Sequence, residues 1–281
     1  MRLNFHQVEV IRKGLDHPEC VNFGPDKRLY AGGISGQIYV MPPPKYELQL
    51  LARTAGGYAG VTIDANHNVY ACNALEHKVF RVTPKGDYSI YCEAASDGPT
   101  IWPNYGLFDS EGNYYFSDSG WDYWKPSGRL IRVSLKKEAQ SLIGGNWHFA
   151  NGLAMSRRDN SIYMIETAAA DIVRVPINKD GTVGVPELFV QLQGNELDGL
   201  AFAVNGNLYV SCYYPNRIFV VYPDRNIELL IEDTTGDFLN QPTNVAFEPN
   251  STRLFIASLG GTHISALDVG EKGAPLYYPQ L

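Results

Sequence analysis

Four oxygen-bearing side chains recur at the same place in a repeated segment of this sequence. They are the carboxylates of Glu19 and Asp198 and the carboxamides of Asn104 and Asn151. Oxygen ligands of this kind suit Ca²⁺, which takes about six to eight oxygens at roughly 2.3–2.6 Å and tolerates irregular geometry. Two carboxylates buried near each other would repel unless a cation lay between them. The four residues therefore predict a metal site.

The segment that carries these residues reads as a strand, a tight turn and a second strand. It is clearest between Glu196 and Ser211, where the turn residues Asn205-Gly206-Asn207 tolerate positive φ and separate two apolar runs. Near-copies begin at Pro18, Tyr58, Pro103, Ala150 and Pro242. When the copies are aligned on the apolar run, one column contains Glu19, Ala59, Asn104, Asn151, Asp198 and Thr243. Successive members of this column are 40, 45, 47, 47 and 45 residues apart.

Six copies at this period predict an all-β fold, a six-bladed β-propeller with a central metal channel. The first strand of each blade lines the channel, so the six column positions converge on one axis. The alternative is that Asn and Asp are only turn residues at the entry to a strand. That alternative explains neither Glu19 nor the register that all six copies share.

The repeats predict one domain spanning residues 1–281, in which a strand at residues 5–12 closes the last blade. No helix of useful length is predicted. Blade three departs from the pattern by inserting residues 118–128, which include Trp121 and two further aromatics. This insertion is either a loop folded over one end of the channel or a surface loop held by its own aromatics.

Composition restricts the partners and the compartment. The net charge is −7 and no basic cluster occurs, which argues against nucleic acid. The N-terminus lacks the apolar core of a signal peptide, and no run of about 18 apolar residues could span a bilayer. We therefore expect a cytoplasmic protein, a monomer or small homo-oligomer, that acts on a small molecule and not on a membrane.

The cysteines do not suggest a metal site of their own. Cys20, Cys72, Cys92 and Cys212 show no CxxC or CxxH spacing, so a zinc site built on them is not supported. We expect buried free thiols. A Cys72–Cys92 disulfide within blade two is the alternative that spacing leaves open.

With the repeat and its column identified, the chain resembles the gluconolactonase family, which includes senescence marker protein (regucalcin) and, more distantly, diisopropylfluorophosphatase. Motifs along essentially the whole chain carry the resemblance: Pro18-Glu19, Pro103-Asn104, Asn151 to Ser156, Asp198 to Ala201, and Pro242 to Phe247. It implies a six-bladed propeller with one divalent metal, usually calcium, although Zn²⁺, Mn²⁺, Mg²⁺ and Fe²⁺ remain open. The matched ligand positions are Glu19, Asn104, Asn151 and Asp198, and the last also matches the family's proposed general base.

Two positions depart from the sugar-lactone members of that family. Those members have an Arg two residues before the first Asn ligand and an Asp directly after it, where this chain has Trp102 and Tyr105. An Arg and a carboxylate recognise hydroxyl groups, whereas an indole and a phenol offer flat apolar faces. We therefore expect Trp102, Tyr105 and Trp121 to bind a lactone or ester that carries fewer hydroxyl groups than gluconolactone.

The resemblance and the column together predict a calcium-dependent hydrolase of lactones or related esters. Asp198 could take a proton from the attacking water, and His148 or His17, both close to the column in sequence, could serve as acid or base near neutral pH. The alternatives are a phosphotriester hydrolase on the same site and a non-catalytic propeller that binds calcium or a small molecule. No GxSxG, HExxH or phosphate-binding glycine loop suggests another chemistry.

Overall fold

The computed structural model describes residues 7–281, without the side chains at positions 59 and 145. No α-helix occurs in this part of the chain, and no element in it has the length and apolar character of a membrane-spanning helix. Its strands form six four-stranded antiparallel sheets and one short hairpin. Each sheet is one blade of a six-bladed propeller.

The strands follow one another around the ring. The first strand is β1 (Glu9–Lys13). Blade one contains β2 (Cys20–Phe23), β3 (Leu29–Gly32), β4 (Gln37–Met41) and β5 (Gln49–Arg53). Blade two contains β6 (Tyr58–Ile63), β7 (Val69–Asn73), β8 (Lys78–Val82) and β9 (Tyr88–Cys92). The short hairpin that follows consists of β10 (Ala94–Ala95) and β11 (Gly98–Pro99).

The second half of the chain repeats the arrangement. Blade three contains β12 (Pro103–Phe108), β13 (Tyr114–Asp118), β14 (Gly128–Val133) and β15 (Ala139–Trp147). Blade four contains β16 (Ala150–Ser156), β17 (Ser161–Glu166), β18 (Asp171–Pro176) and β19 (Glu187–Gln191). Blade five contains β20 (Glu196–Phe202), β21 (Leu208–Tyr214), β22 (Arg217–Val221) and β23 (Ile227–Glu232). Blade six contains β24 (Pro242–Phe247), β25 (Arg253–Ser258) and β26 (His263–Asp268).

Strand β1 supplies the fourth strand of blade six. It pairs antiparallel with β26, with Glu9 opposite Ala266 and Lys13 opposite His263. The sequence places this strand at residues 5–12, whereas the structure has it at Glu9–Lys13, and residues 5 and 6 lie outside the described part of the chain. The sheet that contains the last blade therefore joins residues from both ends of the described chain.

The first strands of the six blades contact one another in a closed circle in the order β2, β6, β12, β16, β20, β24. Glycines directly after two column residues allow this close approach. A Cβ at Gly152 would overlap the carbonyl oxygen of Asp198, and one at Gly199 would lie 2.7 Å from the carbonyl oxygen of Thr243. Larger residues would push blades four, five and six apart, so these glycines help to bring the column residues to one axis.

A side chain to backbone hydrogen bond crosses every interface between blades. In each case the side chain donates to a carbonyl oxygen on or next to the first strand of the following blade, which completes the circle. From the first interface to the sixth, the pairs are Asn22 to Val61, Thr62 to Gly106, Ser119 to Ala150, Thr167 to Leu197, Ser211 to Thr243, and Thr243 to Glu19. These bonds satisfy carbonyl groups at the channel wall and hold adjacent blades in register.

Leu276 to Tyr278, in the C-terminal segment, form no strand. Instead they line a cavity of about 70 Å³ with the far ends of the six first strands. The Tyr278 hydroxyl donates to the Phe23 carbonyl at 3.1 Å, and the Arg157 guanidinium lies 3.9 Å from the Tyr277 ring centroid. The segment therefore covers the channel at the end away from Glu19 and Trp102, which line a different pocket.

The four cysteines are buried and free, which confirms the expected thiols. Cys72 in β7 and Cys92 in β9 both pair with Val79 of β8, one on each side of it. Strand β8 therefore separates the two cysteines. Two strand spacings amount to about 9.6 Å, which is more than a disulfide can bridge.

Candidate metal centre

Two carboxylates face each other at one end of the channel. Glu19 directly precedes β2 in blade one, and Asp198 lies in β20 of blade five, so that blade six lies between their blades in the ring. Burial raises the pKa of Asp198 to about 7. Burial also raises the pKa of Glu19 well above its usual range, and the nearby Asp198 charge raises it further. Without a cation the pair resists carrying two negative charges, because each would lie close to the other out of bulk water.

Hydroxyl groups fix the orientation of the two carboxamides of the column, and Asn151 contacts the acid pair directly. The Asn151 Nδ2 donates to the Thr167 Oγ1 at 3.0 Å and lies 3.4 Å from the Asp198 Oδ2. The Asn104 Nδ2 donates to the Ser119 Oγ at 3.2 Å. Because the amide nitrogens are engaged at the wall, the carbonyl oxygen of each Asn is the atom left for the channel.

The donor set fits a divalent cation. The Glu19 Oε2 is buried and has no hydrogen-bond partner among residues 7–281, which is costly for a carboxylate oxygen unless another group satisfies it. Asp198 and the two Asn oxygens are the other candidates to share such an ion. No group of three or more His, Cys, Asp or Glu side chains that could hold a metal occurs among the described residues. A site here therefore depends on the amide oxygens, which suits Ca²⁺.

Thr243, the column residue of blade six, has a different position. Its hydroxyl donates to the Glu19 backbone carbonyl at 2.6 Å across the interface between blades six and one. The residue therefore holds the backbone of Glu19 in place.

A known protein family matches a long central part of this chain. A model described as the SMP-30/Gluconolactonase/LRE-like region matches residues 86–260, which is more than half of the chain. The chain belongs to this family.

Relatives and solved structures extend the match over nearly the whole chain. The family member named lactonase drp35 of Staphylococcus aureus (strain MW2) is 25% identical over 267 residues, which covers 89% of this chain and 81% of that protein. A solved gluconolactonase from Xanthomonas campestris has a TM-score of 0.80 at 17% identity, covering 93% of this chain and 89% of that one. The calcium-binding protein regucalcin of Agrobacterium tumefaciens has a TM-score of 0.81 at 16% identity, covering 97% of both chains. At these identities the solved structures show the shared fold.

Trp102 lies at the mouth near Glu19, and its role in substrate binding stays a prediction. It lines a pocket of about 240 Å³ that also contains Glu19. The buried Asp118 carboxylate holds its backbone by accepting hydrogen bonds from the Trp102 N–H at 2.6 Å and the Ile101 N–H at 2.9 Å. Arg129 bonds the same carboxylate at 2.5 Å, so the segment that carries Trp102 is fixed by a buried ion pair.

Tyr105 does not lie in that pocket. Its side chain is buried, and its hydroxyl accepts a hydrogen bond from the Asn22 Nδ2 at 3.3 Å. It lines the cavity that the C-terminal segment covers, at the other end of the channel. Strand alternation accounts for this, because successive side chains of β12 point in opposite directions. The structure thus separates Tyr105 from Trp102, and a role for it in substrate binding stays a prediction.

Trp121 lies on the inserted loop at residues 119–127, with 75% of its side chain exposed. Its ring centroid is 5.8 Å from that of His77 on blade two. The loop therefore leans toward blade two, next to the pocket that contains Trp102, and contact between Trp121 and a substrate stays a prediction.

The two predicted histidines contact carboxylates other than Asp198. The His148 N–H donates to the Glu166 Oε1 at 2.9 Å, and its Nδ1 lies 3.6 Å from the same oxygen. The His17 Nδ1 lies 3.0 Å from the Asp16 Oδ1, and about half of the His17 side chain is exposed. The structure shows no contact of either imidazole with Asp198 among the described residues, so an acid–base role for His148 stays a prediction.

Two tyrosines near the acid pair were not singled out from the sequence. Burial and the Glu196 and Asp198 carboxylates raise the pKa of Tyr123 to about 12. Burial and the same two carboxylates, together with Glu19, also raise the pKa of Tyr213. Tyr213 directly follows Cys212, which pairs with Leu197 of the first strand. In the same way, Thr167 directly follows Glu166, which pairs with Ala150. Aligning the second strands of the repeats would therefore have revealed Tyr213.

Proposed function

We propose that the protein is a divalent-metal-dependent hydrolase of lactones or related esters, with calcium as the metal. The observation that carries this proposal is the buried, unpartnered Glu19 Oε2 beside Asp198, at a site where two Asn nitrogens are directed toward the wall. The residues that would hold the ion are Glu19, Asn104, Asn151 and Asp198.

The names of the relatives support the type of reaction. Lactonase drp35 is named for lactone hydrolysis, the Xanthomonas protein is described as a gluconolactonase, and the Agrobacterium protein as calcium-binding. The combination of an acid pair with amide oxygens is consistent with both descriptions. No observation on the described residues favours phosphotriester hydrolysis over this reaction.

When bound, the cation supplies Lewis acidity toward the carbonyl oxygen of the ester group. Asp198 is the residue that we assign to proton transfer, because it is one of the two acids of the column and matches the position of the family's proposed general base. Its carboxylate takes a proton from water as the water oxygen bonds to the carbonyl carbon. The C–O bond of the lactone ring then breaks, and the departing oxygen receives the proton that Asp198 carries.

Trp102 supports a substrate with few hydroxyl groups. Its indole lines the pocket beside Glu19, at the position where sugar-lactone members have an Arg, and its backbone is held by the buried Asp118. An indole cannot make the charge-assisted hydrogen bonds that an Arg makes to sugar hydroxyls. We therefore propose that gluconolactone is a poorer substrate than an apolar lactone.

The test is a panel of aliphatic, aromatic and sugar lactones, assayed with and without a chelator. We expect turnover of the aliphatic and aromatic members, its loss on chelation and its recovery when calcium is added back. Calcium binding without any turnover would favour the non-catalytic propeller, and full activity in the chelator would contradict metal dependence.

A further inference from the structure

The mouth of the channel has two chemically different sides. On blades three, four and five, one residue at or near the end of the second strand carries a hydroxyl group. These residues are Ser119, Thr167 and Tyr213. On blades one, two and six, the residues that line the mouth pocket near the ends of the second strands are hydrocarbon. They are Ile34, Ala74 and Leu259.

The hydrocarbon side forms one wall of the pocket that contains Glu19. We call it the apolar wall and define it as Ile34, Ala74, Leu75, Trp102 and Leu259. Glu19 is the charged residue among those that line the pocket. Any molecule whose carbonyl group reaches the acid pair through this pocket must therefore place its remainder against hydrocarbon.

The wall is formed before a ligand arrives. The Ile34 N–H donates to the Asp16 carbonyl at 3.1 Å, and the Leu259 N–H donates to the Gln241 carbonyl at 3.1 Å. Trp102 is held by Asp118. Anchored backbone on each side means that a ligand meets a fixed surface, which reduces the entropy lost on binding.

The outer edge of the wall is open. Ile34 is 48% exposed and Leu75 is 55% exposed, whereas Ala74 behind them is buried. Single exposed apolar side chains are ordinary on a protein surface, but these two line a pocket that also contains the Glu19 carboxylate. A chain that enters here can lie against the wall and leave toward solvent, so its length has no fixed upper limit.

We propose that the apolar wall is a subsite for an alkyl chain, and that the substrates are lactones or esters bearing an unbranched chain near the carbonyl group. This inference rests on the proposed hydrolase function and specifies its substrate class. The carbonyl group lies at Glu19 and Asp198, and the chain extends over Leu259 and Ile34 toward Leu75.

The first experiment uses a homologous series of lactones with one ring and alkyl chains of increasing length. For the wild type we expect kcat/KM to rise about two- to fourfold for each of the first few methylene groups, as partial burial of CH₂ predicts, and then to level off. Leu75→Asn should flatten this rise while leaving the unsubstituted lactone within about twofold of wild type.

Leu188→Asn is the matched control. Leu188 is 52% exposed, close to the 55% of Leu75, but it lies in β19, the outer strand of blade four. We expect the control to keep the chain-length dependence of the wild type. Equal dependence in Leu75→Asn, Ile34→Asn and the wild type would overturn the proposal.

A binding measurement separates this inference from the proposed function. Alkyl-substituted lactams of the same ring size serve as slowly hydrolysed analogues, and calorimetry gives their affinity for each variant. Affinity that rises with chain length in the wild type but not in Leu75→Asn supports the subsite even if no lactone is turned over, in which case the proposed function fails alone. Affinity independent of chain length overturns the subsite, whether or not short lactones are hydrolysed.

Discussion

Asn151 lies in β16 of blade four and Thr167 directly follows β17, and the hydrogen bond between their side chains can have only one donor. The Thr167 hydroxyl donates its single hydrogen to the Leu197 carbonyl at 2.9 Å, so it can only accept from the Asn151 Nδ2 at 3.0 Å. The amide nitrogen is thereby fixed toward the wall and the amide oxygen is left for the channel. One hydroxyl thus joins two blades and also sets the orientation of a candidate ligand.

This relationship predicts the effect of Thr167→Val, which keeps the shape and removes the hydroxyl. Calcium affinity should fall by about 10- to 100-fold, because outer partners that orient metal ligands have effects of that size. Calorimetric titration with calcium measures it. Thr62→Val is the matched control, since Thr62 makes the equivalent bond to the Gly106 carbonyl but contacts no candidate ligand. An equal loss of calcium affinity in both variants would show that the effect comes from blade packing.

Asp198→Asn tests whether this residue transfers protons or only holds the metal. The substitution keeps the size and one oxygen but removes the charge and the capacity to accept a proton. At saturating calcium we expect kcat to stay about 10²- to 10⁴-fold below wild type, the usual loss for a general base. The comparison is His148→Gln, which tests the acid–base role predicted for His148, whose imidazole lies near Glu166. Near-normal turnover of Asp198→Asn, with a large loss in His148→Gln, would move the catalytic role to the histidine.

Calcium binding should release protons below neutral pH. In the metal-free protein the folded-state pKa of Asp198 is about 7, above its unfolded value of 3.8. The free energy of unfolding of that form therefore falls as pH rises from about 4 to 7, because the folded state binds the proton more tightly. Calcium requires the carboxylate, so its apparent affinity should weaken by about tenfold per pH unit below 7 for each proton displaced.

Titrations at pH 6 and 8 in buffers of different ionisation enthalpy would count the released protons. We expect at least one proton at pH 6 and fewer at pH 8, with a smaller release for Asp198→Asn at pH 6. The same heat in all buffers at pH 6 would mean that the acid pair is already ionised without metal.

Trp102→Arg tests the basis of substrate choice. It restores the residue type of the sugar-lactone members at a position whose backbone Asp118 holds in place. We expect the ratio of kcat/KM for gluconolactone to that for an apolar lactone to rise by at least about tenfold, in the range that a charged hydrogen bond provides. Trp124→Arg, at a tryptophan that is 75% exposed on the inserted loop, is the control. An unchanged ratio in Trp102→Arg would remove Trp102 from substrate recognition.

The sequence predicted the repeat and the column because both depend on local signals. Asn205-Gly206 and its equivalents mark the turns, and the apolar runs on either side fix the register of the first strands. The contact between Asn151 and Asp198 at 3.4 Å then follows from their shared place in neighbouring blades.

Other features depend on directions that a linear pattern does not contain. Tyr105 follows Asn104 but points elsewhere because strand side chains alternate. His148 comes before Phe149, whose φ of 61° turns the chain just before β16, so proximity to Asn151 in sequence did not place its imidazole near Asp198. Tyr213 lies on the second strand, where the repeat was not aligned. The cover formed by Tyr277 and Tyr278 comes from contacts with distant blades, which no local signal encodes.

The most direct test of the four-residue metal centre is a calorimetric titration of the chelator-treated protein with calcium, in the wild type and in Glu19→Gln. We predict one ion per chain for the wild type. In Glu19→Gln the affinity should be at least about tenfold weaker, because the variant loses one of the two charges, while an unchanged melting temperature without calcium would show that the fold is retained. Calcium affinity in Glu19→Gln equal to that of the wild type, or no binding by either protein, would contradict the account.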